Sequence, residues 1–407
     1  MTRTLTTLSI LVALSSGCAA SDSSIGVTAT EIKIGATFPF SGPASGLANS
    51  GRGLLAYVQS INDRGGINGR KINLMALDDA YSPPKAVEHT RRLIESDGVS
   101  FIFGTLGTPS NSAIVKYLNN KQVPHVSIVT GATKFTNVRN YPYTTTGLPS
   151  YDTEGKIYAK FIDSARPGAK IGILYQNDDM GKDFVASFKE TLKDDFDKRV
   201  KAVSYEVSNP TVDSQVAILQ SSGADSLMIA GTPKFAAQAI RRIHEVAWKP
   251  LIVINFISSS VSATLVPAGV ENAIGVVSGS FYKDPNDEKW NDDASVRSYR
   301  AYFSQYLPHA DIGDTTYLTG TQQGQILEAL LRQCGDDLSR ENINFQAHNL
   351  HLALPTFLDG IKINTSSTNS QEITQLKLRR WTGKVWEEFG DVVDASASNN
   401  QLERSRN

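Results

Sequence analysis

The stretch Val99-Ser-Phe-Ile-Phe-Gly-Thr-Leu-Gly-Thr-Pro-Ser110 decides the fold, because in it an apolar strand opens into a loop of small residues and then a helix. Thr108 suits the N-cap of that helix, and Pro109 suits its first position because the missing N–H would have had no partner there. The next N–H groups stay free at the positive end of the helix dipole. The pattern therefore predicts a loop that binds an anion, for which a carboxylate is the natural choice.

A second apolar strand, residues 123–129, ends in an equally small loop at residues 130–133. A parallel sheet would place this loop beside the first at the carboxyl edge, where Thr108 and Thr133 could direct two hydroxyls at one ligand. The alternative is that both loops are ordinary tight connections whose small residues only permit close packing. The two loops taken alone leave both interpretations open.

Length and charge narrow the class of protein. The chain has 407 residues, which favours two domains over one. Lys and Arg number 40 against 41 Asp and Glu, so the formal net charge is −1. Without a basic field, the composition argues against nucleic acid and anionic lipid as partners.

The N-terminus has the pattern of an export signal. Arg3 supplies positive charge, and residues 8–14 form an apolar core that is too short to span a bilayer. We expect residues 1–20 to be a signal peptide and the protein to reach the periplasm. No later run is long and apolar enough to be a transmembrane segment.

Cys18 raises the question of lipid attachment. The preceding Leu14-Ser-Ser-Gly17 resembles a bacterial lipoprotein cleavage box, in which the Cys is acylated, although Leu14 stands one residue early. Cleavage after Ala20 by ordinary signal peptidase is the alternative. A lipid at Cys18 would be the only membrane attachment. Either outcome leaves Cys334 alone, so no intrachain disulfide is expected.

Short apolar strands alternate with amphipathic helices from residue 31 onward, which predicts parallel α/β units. The alternation restarts after residues 141–150, a turn-rich segment that is a hinge candidate between two units. Residues 395–407 are expected to form a disordered tail. Besides the two strands already given, the predicted strands are 32–38, 72–77, 170–175, 200–203, 226–230, 250–254, 373–378 and 384–389.

The sequence contains no catalytic or cofactor motif that would identify an enzyme. Dinucleotide, Walker A, zinc-helix and Gly-x-Ser-x-Gly patterns are absent. His348 and His351 could share a helix face, but no Cys or acidic cluster accompanies them, so packing is the better interpretation. The acidic pairs at 78–79 and 178–179 follow strands and could suggest acid–base chemistry, but helix capping and solvation explain adjacent Asp residues better. We therefore expect no enzyme, no cofactor and no metal site.

Several segments together resemble the branched-chain amino-acid (leucine/isoleucine/valine) type of periplasmic substrate-binding protein from ABC importers, over roughly residues 31–391. They are Ile32-Lys-Ile-Gly-Ala-Thr-Phe-Pro-Phe-Ser-Gly-Pro43, Ile61-Asn-Asp-Arg-Gly-Gly-Ile-Asn-Gly-Arg70, Leu77-Asp-Asp-Ala80 and Thr144-Thr-Thr-Gly-Leu148. The resemblance implies an α/β fold of two doubly wound parallel-sheet lobes joined by three crossovers, the type I periplasmic-binding-protein clamshell. Lobe 1 would comprise 31–147 plus 279–370, and lobe 2 would comprise 148–278 plus 371–394.

The resemblance also implies where a ligand binds. Thr108 and Thr133 match the positions whose hydroxyl and backbone donors hold the ligand carboxylate, and Gly131 matches the position whose carbonyl faces an amino group. Phe256 takes the approximate place of the acid that usually neutralises the α-ammonium of an amino acid. This departure argues against an amino acid as the ligand.

The remaining candidates describe the walls of the cleft. Leu47, Met180 and Thr232 fall where the family often has Tyr, and Tyr151 is a further candidate for ligand contact. The cleft is therefore expected to be apolar, with one site that binds an anion.

The leading hypothesis is a monomeric, non-enzymatic receptor that delivers a small carboxylate with an apolar or aromatic body to ABC permease and ATPase subunits. One alternative is a binding protein for branched-chain or other hydrophobic amino acids, with the ammonium held by Asp178 or Asp179. The second alternative is a periplasmic sensor that reports to a membrane kinase or receptor.

Overall fold

The computed structural model describes residues 24–394. The predicted signal peptide, the lipidation site Cys18 and the predicted tail at 395–407 lie outside the described residues. The strands are β1 (Glu31–Phe38), β2 (Lys71–Asp78), β3 (Phe101–Phe103), β4 (His125–Ile128), β5 (Thr144–Thr146), β6 (Ile171–Gln176), β7 (Val200–Tyr205), β8 (Ser226–Ala230), β9 (Leu251–Ile254), β10 (Val277–Ser280), β11 (His351–Leu352), β12 (Ile363–Asn364), β13 (Gln375–Trp381) and β14 (Trp386–Asp394). The helices are α1 (Ala48–Asp63), α2 (Pro83–Glu95), α3 (Thr108–Asn120), α4 (Tyr151–Ala165), α5 (Asp179–Leu192), α6 (Phe196–Arg199), α7 (Asp213–Ser221), α8 (Pro233–Glu245), α9 (Val266–Ala268), α10 (Ala294–Tyr306), α11 (Thr316–Cys334) and α12 (Arg340–Ala347).

The first lobe is built on a five-stranded sheet in the order β2-β1-β3-β4-β5, in which all pairs are parallel. Strands β3, β4 and β5 are buried along their whole length, as expected for parallel strands covered by helices on both faces. Strand β1 pairs with β2 from Glu31 opposite Lys71 to Phe38 opposite Asp78. This register brings the ends of all five strands to one carboxyl edge.

The second lobe is built on a seven-stranded sheet in the order β14-β13-β10-β9-β8-β6-β7. Strands β6 to β10 are parallel, whereas β13 and β14 run antiparallel at one edge. The predicted α/β fold with two parallel-sheet lobes is confirmed. The strands expected from apolar runs up to residue 254 are all present, with small shifts at their ends.

The chain passes between the two sheets three times, after β5, after β10 and before β13. The first and third passages lie side by side. The Thr146 N–H donates to the Ser370 carbonyl at 2.9 Å, and the Glu372 N–H donates to the Thr146 carbonyl at 3.0 Å. Two of the connections between the lobes are therefore hydrogen-bonded to each other.

Helices α1 and α11 pack closely in the first lobe because glycines face each other there. A Cβ at Gly320 would lie 1.9 Å from the Ser50 carbonyl oxygen, and a Cβ at Gly53 would lie 2.4 Å from that of Tyr317. Only glycine allows backbones to approach so closely. This contact joins the N-terminal part of the lobe to the segment that follows the second passage.

The two histidines singled out in the sequence do not share a helix. His348 follows the end of α12 and His351 begins β11, so the less favoured possibility of a shared helix face does not apply. Across residues 24–394 no group of three or more His, Cys, Asp or Glu is placed to hold a metal. None of the helices within this range is long and apolar enough to cross a membrane.

Candidate functional site

A cavity lies where the carboxyl ends of strands from both sheets face each other, the usual ligand position in parallel α/β sheets. It encloses about 580 Å³ of space between protein atoms, including its opening to solvent. Its walls carry aliphatic, aromatic and hydroxyl side chains. The lining residues are Leu47, Ser50, Tyr81, Leu106, Gly107, Thr108, Val129, Leu148, Tyr151, Phe256, Ile257, Ser259, Ser260, Tyr282, Thr315, Thr316 and Thr319. Four of the eight residues predicted to bind ligand line this cavity, namely Leu47, Thr108, Tyr151 and Phe256. The other four do not.

The N-terminus of α3 forms one polar end of the cavity. No acidic residue occupies its first turn, and no described residue accepts the Thr108 N–H. The Thr108 hydroxyl lies 2.8 Å from that of Thr130 and 3.4 Å from that of Tyr151. A free N–H and two hydroxyls at the positive end of a helix dipole are suited to a carboxylate.

Thr108 is not the N-cap of this helix, so that detail of the prediction is wrong. Gly107 is the N-cap, at φ +118°, and Thr108 is the first helical residue. The left-handed backbone at Gly107 suits glycine, and a Cβ there would lie 2.9 Å from the Tyr81 ring. The Thr108 hydroxyl is consequently free of the helix backbone and available to the cavity side.

Thr133, predicted to hold the carboxylate, and Gly131, predicted to face an amino group, lie outside the cavity lining. The Thr133 N–H donates to Asp183 Oδ2 at 2.7 Å, and the Gly131 carbonyl accepts the Tyr151 N–H at 2.7 Å. The structure therefore brings Thr130, rather than Thr133, beside the Thr108 hydroxyl.

Met180 and Thr232 also lie outside the lining, in the interior of the second lobe. The Asn255 side-chain amide contacts Met180 Sδ at 3.7 Å, and the Thr232 N–H donates to the Tyr205 hydroxyl at 3.3 Å. Both residues are fully buried. The expected apolar contacts thus fall on Leu47 and Phe256, while ligand binding by all eight candidates stays a prediction.

Phe256 is fixed by a buried carboxyl group behind it. Its N–H donates to the carboxylate of Glu154, which also accepts the Tyr158 hydroxyl at 2.7 Å. Burial raises the pKa of Glu154 to about 7. The Phe256 ring packs on Phe281 with centroids 4.7 Å apart and edge-on to Tyr282 at 5.8 Å. The aromatic wall therefore has a defined position.

The sequence analysis missed a second polar end, made by Ser259, Ser260, Tyr282 and Thr315. The Tyr282 hydroxyl donates to Thr315 Oγ1 at 2.9 Å. The Ser260 hydroxyl donates at 3.2 Å to Asp314, which lies behind the wall. The available signals were the three serines at 258–260, four residues after the end of a strand, and Asp-Thr-Thr at 314–316 before a helical run.

No charged side chain is among the residues that line the cavity. The two acids considered as partners for an ammonium are held by protein groups. Asp178 caps α5 by accepting the Gly181 N–H at 3.2 Å, as expected for an acid after a strand, and burial raises its pKa to about 6. Asp179 forms an ion pair with Lys134 at 2.7 Å, and the Ser112 hydroxyl also donates to it at 2.9 Å.

The comparisons with known proteins agree with this architecture. A family model described as periplasmic binding protein matches residues 31–384. The Leu/Ile/Val-binding protein homolog 7 of Brucella suis biovar 1 (strain 1330) is 29% identical over 233 residues, 55% of this chain and 58% of the relative. The match thus spans little more than half of that relative's length.

Two solved structures share the fold at low sequence identity. A branched-chain amino acid ABC transporter protein from Thermus thermophilus with bound valine has a TM-score of 0.79 at 12% identity, covering 90% of this chain and 97% of the other. A solute-binding protein from R. palustris in complex with benzoate has a TM-score of 0.75 at 21% identity, covering 90% and 98%. Since the family model spans most of the sequence, the expected family is confirmed, and this chain belongs to the periplasmic binding proteins, which bind solutes and are not enzymes.

Proposed function

We propose that this protein captures a small carboxylate with an apolar or aromatic body and delivers it to the permease and ATPase subunits of an ABC importer. The observation that carries the proposal is a cavity with a helix N-terminus and hydroxyls at one end, apolar walls, and no charged lining side chain. The protein would work as a periplasmic monomer.

The carboxylate would lie at the N-terminus of α3. Thr108 would donate from its backbone N–H and its hydroxyl, and Tyr151 would add a second hydroxyl. Hydrogen bonds to an ionised group contribute about 1.5 to 3 kcal/mol each. A few such bonds, with the helix dipole, account for anchoring without a lining cation.

The apolar part of the ligand would contact Leu47 and Phe256. A buried ammonium facing Phe256 would lose its hydration without gaining a counter-charge, at a cost of at least several kcal/mol. A carboxylate without an α-amino group avoids that cost. The neighbour crystallised with benzoate supports this ligand class.

An amino-acid ligand is the second candidate, because one neighbour holds valine and the Brucella relative is named as a Leu/Ile/Val-binding protein. In this chain Asp314, behind Ser260 and Thr316, would then have to turn towards an ammonium. Asp314 already accepts from both of these side chains and from Asn49. Those bonds favour the carboxylate without an amino group.

Binding would occur by closure of two lobes, whose predicted bounds are 31–147 plus 279–370 and 148–278 plus 371–394, although β10 extends the second sheet to Ser280. The paired passages at Thr146 and Ser370 would serve as the hinge. Export by the signal peptide, and acylation at Cys18 if the lipoprotein interpretation holds, would place the protein beside its membrane partners.

Calorimetry with matched ligands tests the proposal. Leucine and phenylalanine would be compared with 4-methylpentanoate and 3-phenylpropanoate, which lack only the amino group. We expect the deaminated acids to bind far more tightly. Tighter binding of leucine than of 4-methylpentanoate would replace this proposal by the amino-acid alternative, and neighbouring genes for two permeases and two ATPases would separate an importer from a sensor.

A further inference from the structure

A buried cation lies behind the second polar end of the cavity. Arg379, on β13, is 2% exposed, and its Nη2 donates to the Ser259 hydroxyl at 2.6 Å. The guanidinium carbon lies 4.7 Å from the ring centroid of Trp386 and 5.4 Å from that of Tyr282. Ser259 and Tyr282 both line the cavity, so this charge is one side chain away from the ligand space.

Arg379 forms no ion pair in the described part of the chain, because Glu388, opposite it on β14, pairs with Lys289 at 3.1 Å and with Lys377 at 3.9 Å. Across residues 24–394 no carboxylate oxygen lies within 4.0 Å of its guanidinium, and its Nε has no hydrogen-bond acceptor. Lys283, buried nearly as deeply, shows the usual arrangement, since it pairs with Asp293 at 2.8 Å. An arginine keeps its charge inside a protein, and an isolated buried charge is strongly unfavourable unless an anion compensates it.

Asp314, which also lies behind this wall, does not supply that compensation either. It accepts from the side chains of Asn49 at 2.7 Å, Thr316 at 2.7 Å and Ser260 at 3.2 Å, and from the Thr316 N–H at 3.0 Å. The carboxylate oxygens of Asp314 therefore accept several hydrogen bonds. Arg379, in contrast, donates to Ser259, and its Nε has no acceptor. The unmet electrostatic requirement at this end of the cavity is for negative charge.

The anion site proposed at Thr108 does not meet this requirement, because it belongs to another part of the cavity. Thr108 follows β3 of the first sheet, whereas Ser259 and Tyr282 follow β9 and β10 of the second. Apolar lining residues such as Leu47 and Phe256 complete the walls. The cavity thus favours negative charge at two places.

We infer that the ligand is a dicarboxylate, whose second carboxylate lies against Ser259 and Tyr282 with Arg379 as its charge complement. The Tyr282 hydroxyl, which donates to Thr315 in the structure, would turn to donate to that group. Arg379 would act through its charge from behind Ser259, whose own hydroxyl donates to the Phe256 carbonyl. Arg379 is thus a specificity-determining residue. This inference rests on the proposed carboxylate function and narrows its substrate class from monoacids to diacids.

Calorimetry tests the inference on the full-length protein with pairs of acids in which a methyl group replaces one carboxylate. Adipate would be compared with hexanoate, and terephthalate with 4-methylbenzoate. We expect each diacid to bind about tenfold or more tightly than its monoacid partner, the range found for close charge pairs at interfaces. In Arg379→Met the ratio should fall to about one, while Arg379→Lys should keep part of it.

Arg380→Met is the matched control, because Arg380 is exposed on the same strand and the substitution removes the same charge. Its ratio should equal that of the unaltered protein, and melting curves would show that each variant is folded. Diacids binding no better than monoacids, or an Arg379→Met variant that weakens both equally, would overturn the inference. Binding of monoacids alone would leave the proposed function intact, whereas binding of leucine in place of any of these acids would remove both.

Discussion

The backbone N–H of Thr133 donates to the carboxylate of Asp183 at 2.7 Å, which joins the turn after β4 in the first lobe to helix α5 in the second. The ion pair between Lys134 and Asp179 lies beside it. Both contacts cross from one lobe to the other, so they exist only while the lobes are together. They involve protein groups alone, so in the proposed closure they would hold the lobes together without a ligand.

Asp183→Ala should weaken ligand binding about fivefold to tenfold, since it removes one interlobe hydrogen bond with a net value of about 1 kcal/mol and leaves a half-buried N–H unpaired. Calorimetry with the preferred acid measures the change, and scattering would show a larger radius of gyration without ligand. Glu190→Ala is the control, because Glu190 is exposed on the same helix and pairs with Lys156 within the second lobe. Equal affinities for the two variants would mean that this bond does not contribute to closure.

Thr108→Val should lower affinity for a carboxylate about tenfold or more, because a buried hydroxyl that donates to an ionised group contributes about 1.5 to 3 kcal/mol. Thr319→Val removes a hydroxyl from another part of the same cavity, where the side chain donates to the Thr315 carbonyl. It should have a smaller effect. A larger loss in Thr319→Val would move the carboxylate away from α3.

Glu372→Gln should stabilise the protein at alkaline pH. Burial raises the pKa of Glu372 from its ordinary 4.5 to about 8, and the hydroxyls of Ser127 and Thr145 contact it at 2.8 and 3.2 Å. Between these two pKa values the native state keeps a proton that the unfolded state has lost. This group therefore makes stability fall as pH rises from 4.5 to about 8.

Gln imitates the protonated carboxyl at every pH, so the variant should lack this fall. Denaturant unfolding at pH 5 and pH 9 measures this loss of stability. The free energy of unfolding should fall by about 1.4 kcal/mol for each unit by which the native pKa exceeds the unfolded one. Glu341 is exposed, so the control variant Glu341→Gln should unfold like the unaltered protein at both pH values. Parallel pH profiles for Glu372→Gln and the unaltered protein would contradict the prediction.

Gly320→Ala should destabilise the first lobe by about 1 to 3 kcal/mol, because overpacking forces α1 and α11 apart. The new Cβ would lie 1.9 Å from the Ser50 carbonyl oxygen. Gly46→Ala is a suitable control, since its Cβ would meet no atom closer than 3.5 Å. A thermal shift no larger than that of the control would show that the helices adjust without cost.

The sequence predicted the sheets well because each apolar run is continuous and bounded by turn residues. Strands such as β1 and β8 are rich in apolar residues, and the elements packed on them bury most of these residues. The site was harder to predict because it depends on contacts between distant segments. Thr108 is a residue type suited to an N-cap, yet its hydroxyl contacts that of Thr130 on the neighbouring loop, and Gly107 occupies the N-cap position.

Two further residues show why local patterns were insufficient. Thr133 begins a short 3-10 turn, Thr133–Thr136, and its N–H donates to Asp183 in the other lobe, a partner that no motif indicates. Arg379 stands in a strand with three basic residues and no motif, yet the indole of Trp386 and the loop at Ser259 cover it. Both outcomes follow from tertiary contacts rather than from propensity.

The contact between α1 and α11 has a consequence for how the chain matures. Helix α11 begins at Thr316, 253 residues after α1 ends at Asp63. During synthesis, the face of α1 that packs on α11 therefore stays uncovered until most of the chain has been made. Contacts of such long sequence separation slow folding. A nascent chain that cannot complete its first lobe early stays extended for longer, which suits a polypeptide expected to thread through a membrane channel before it folds.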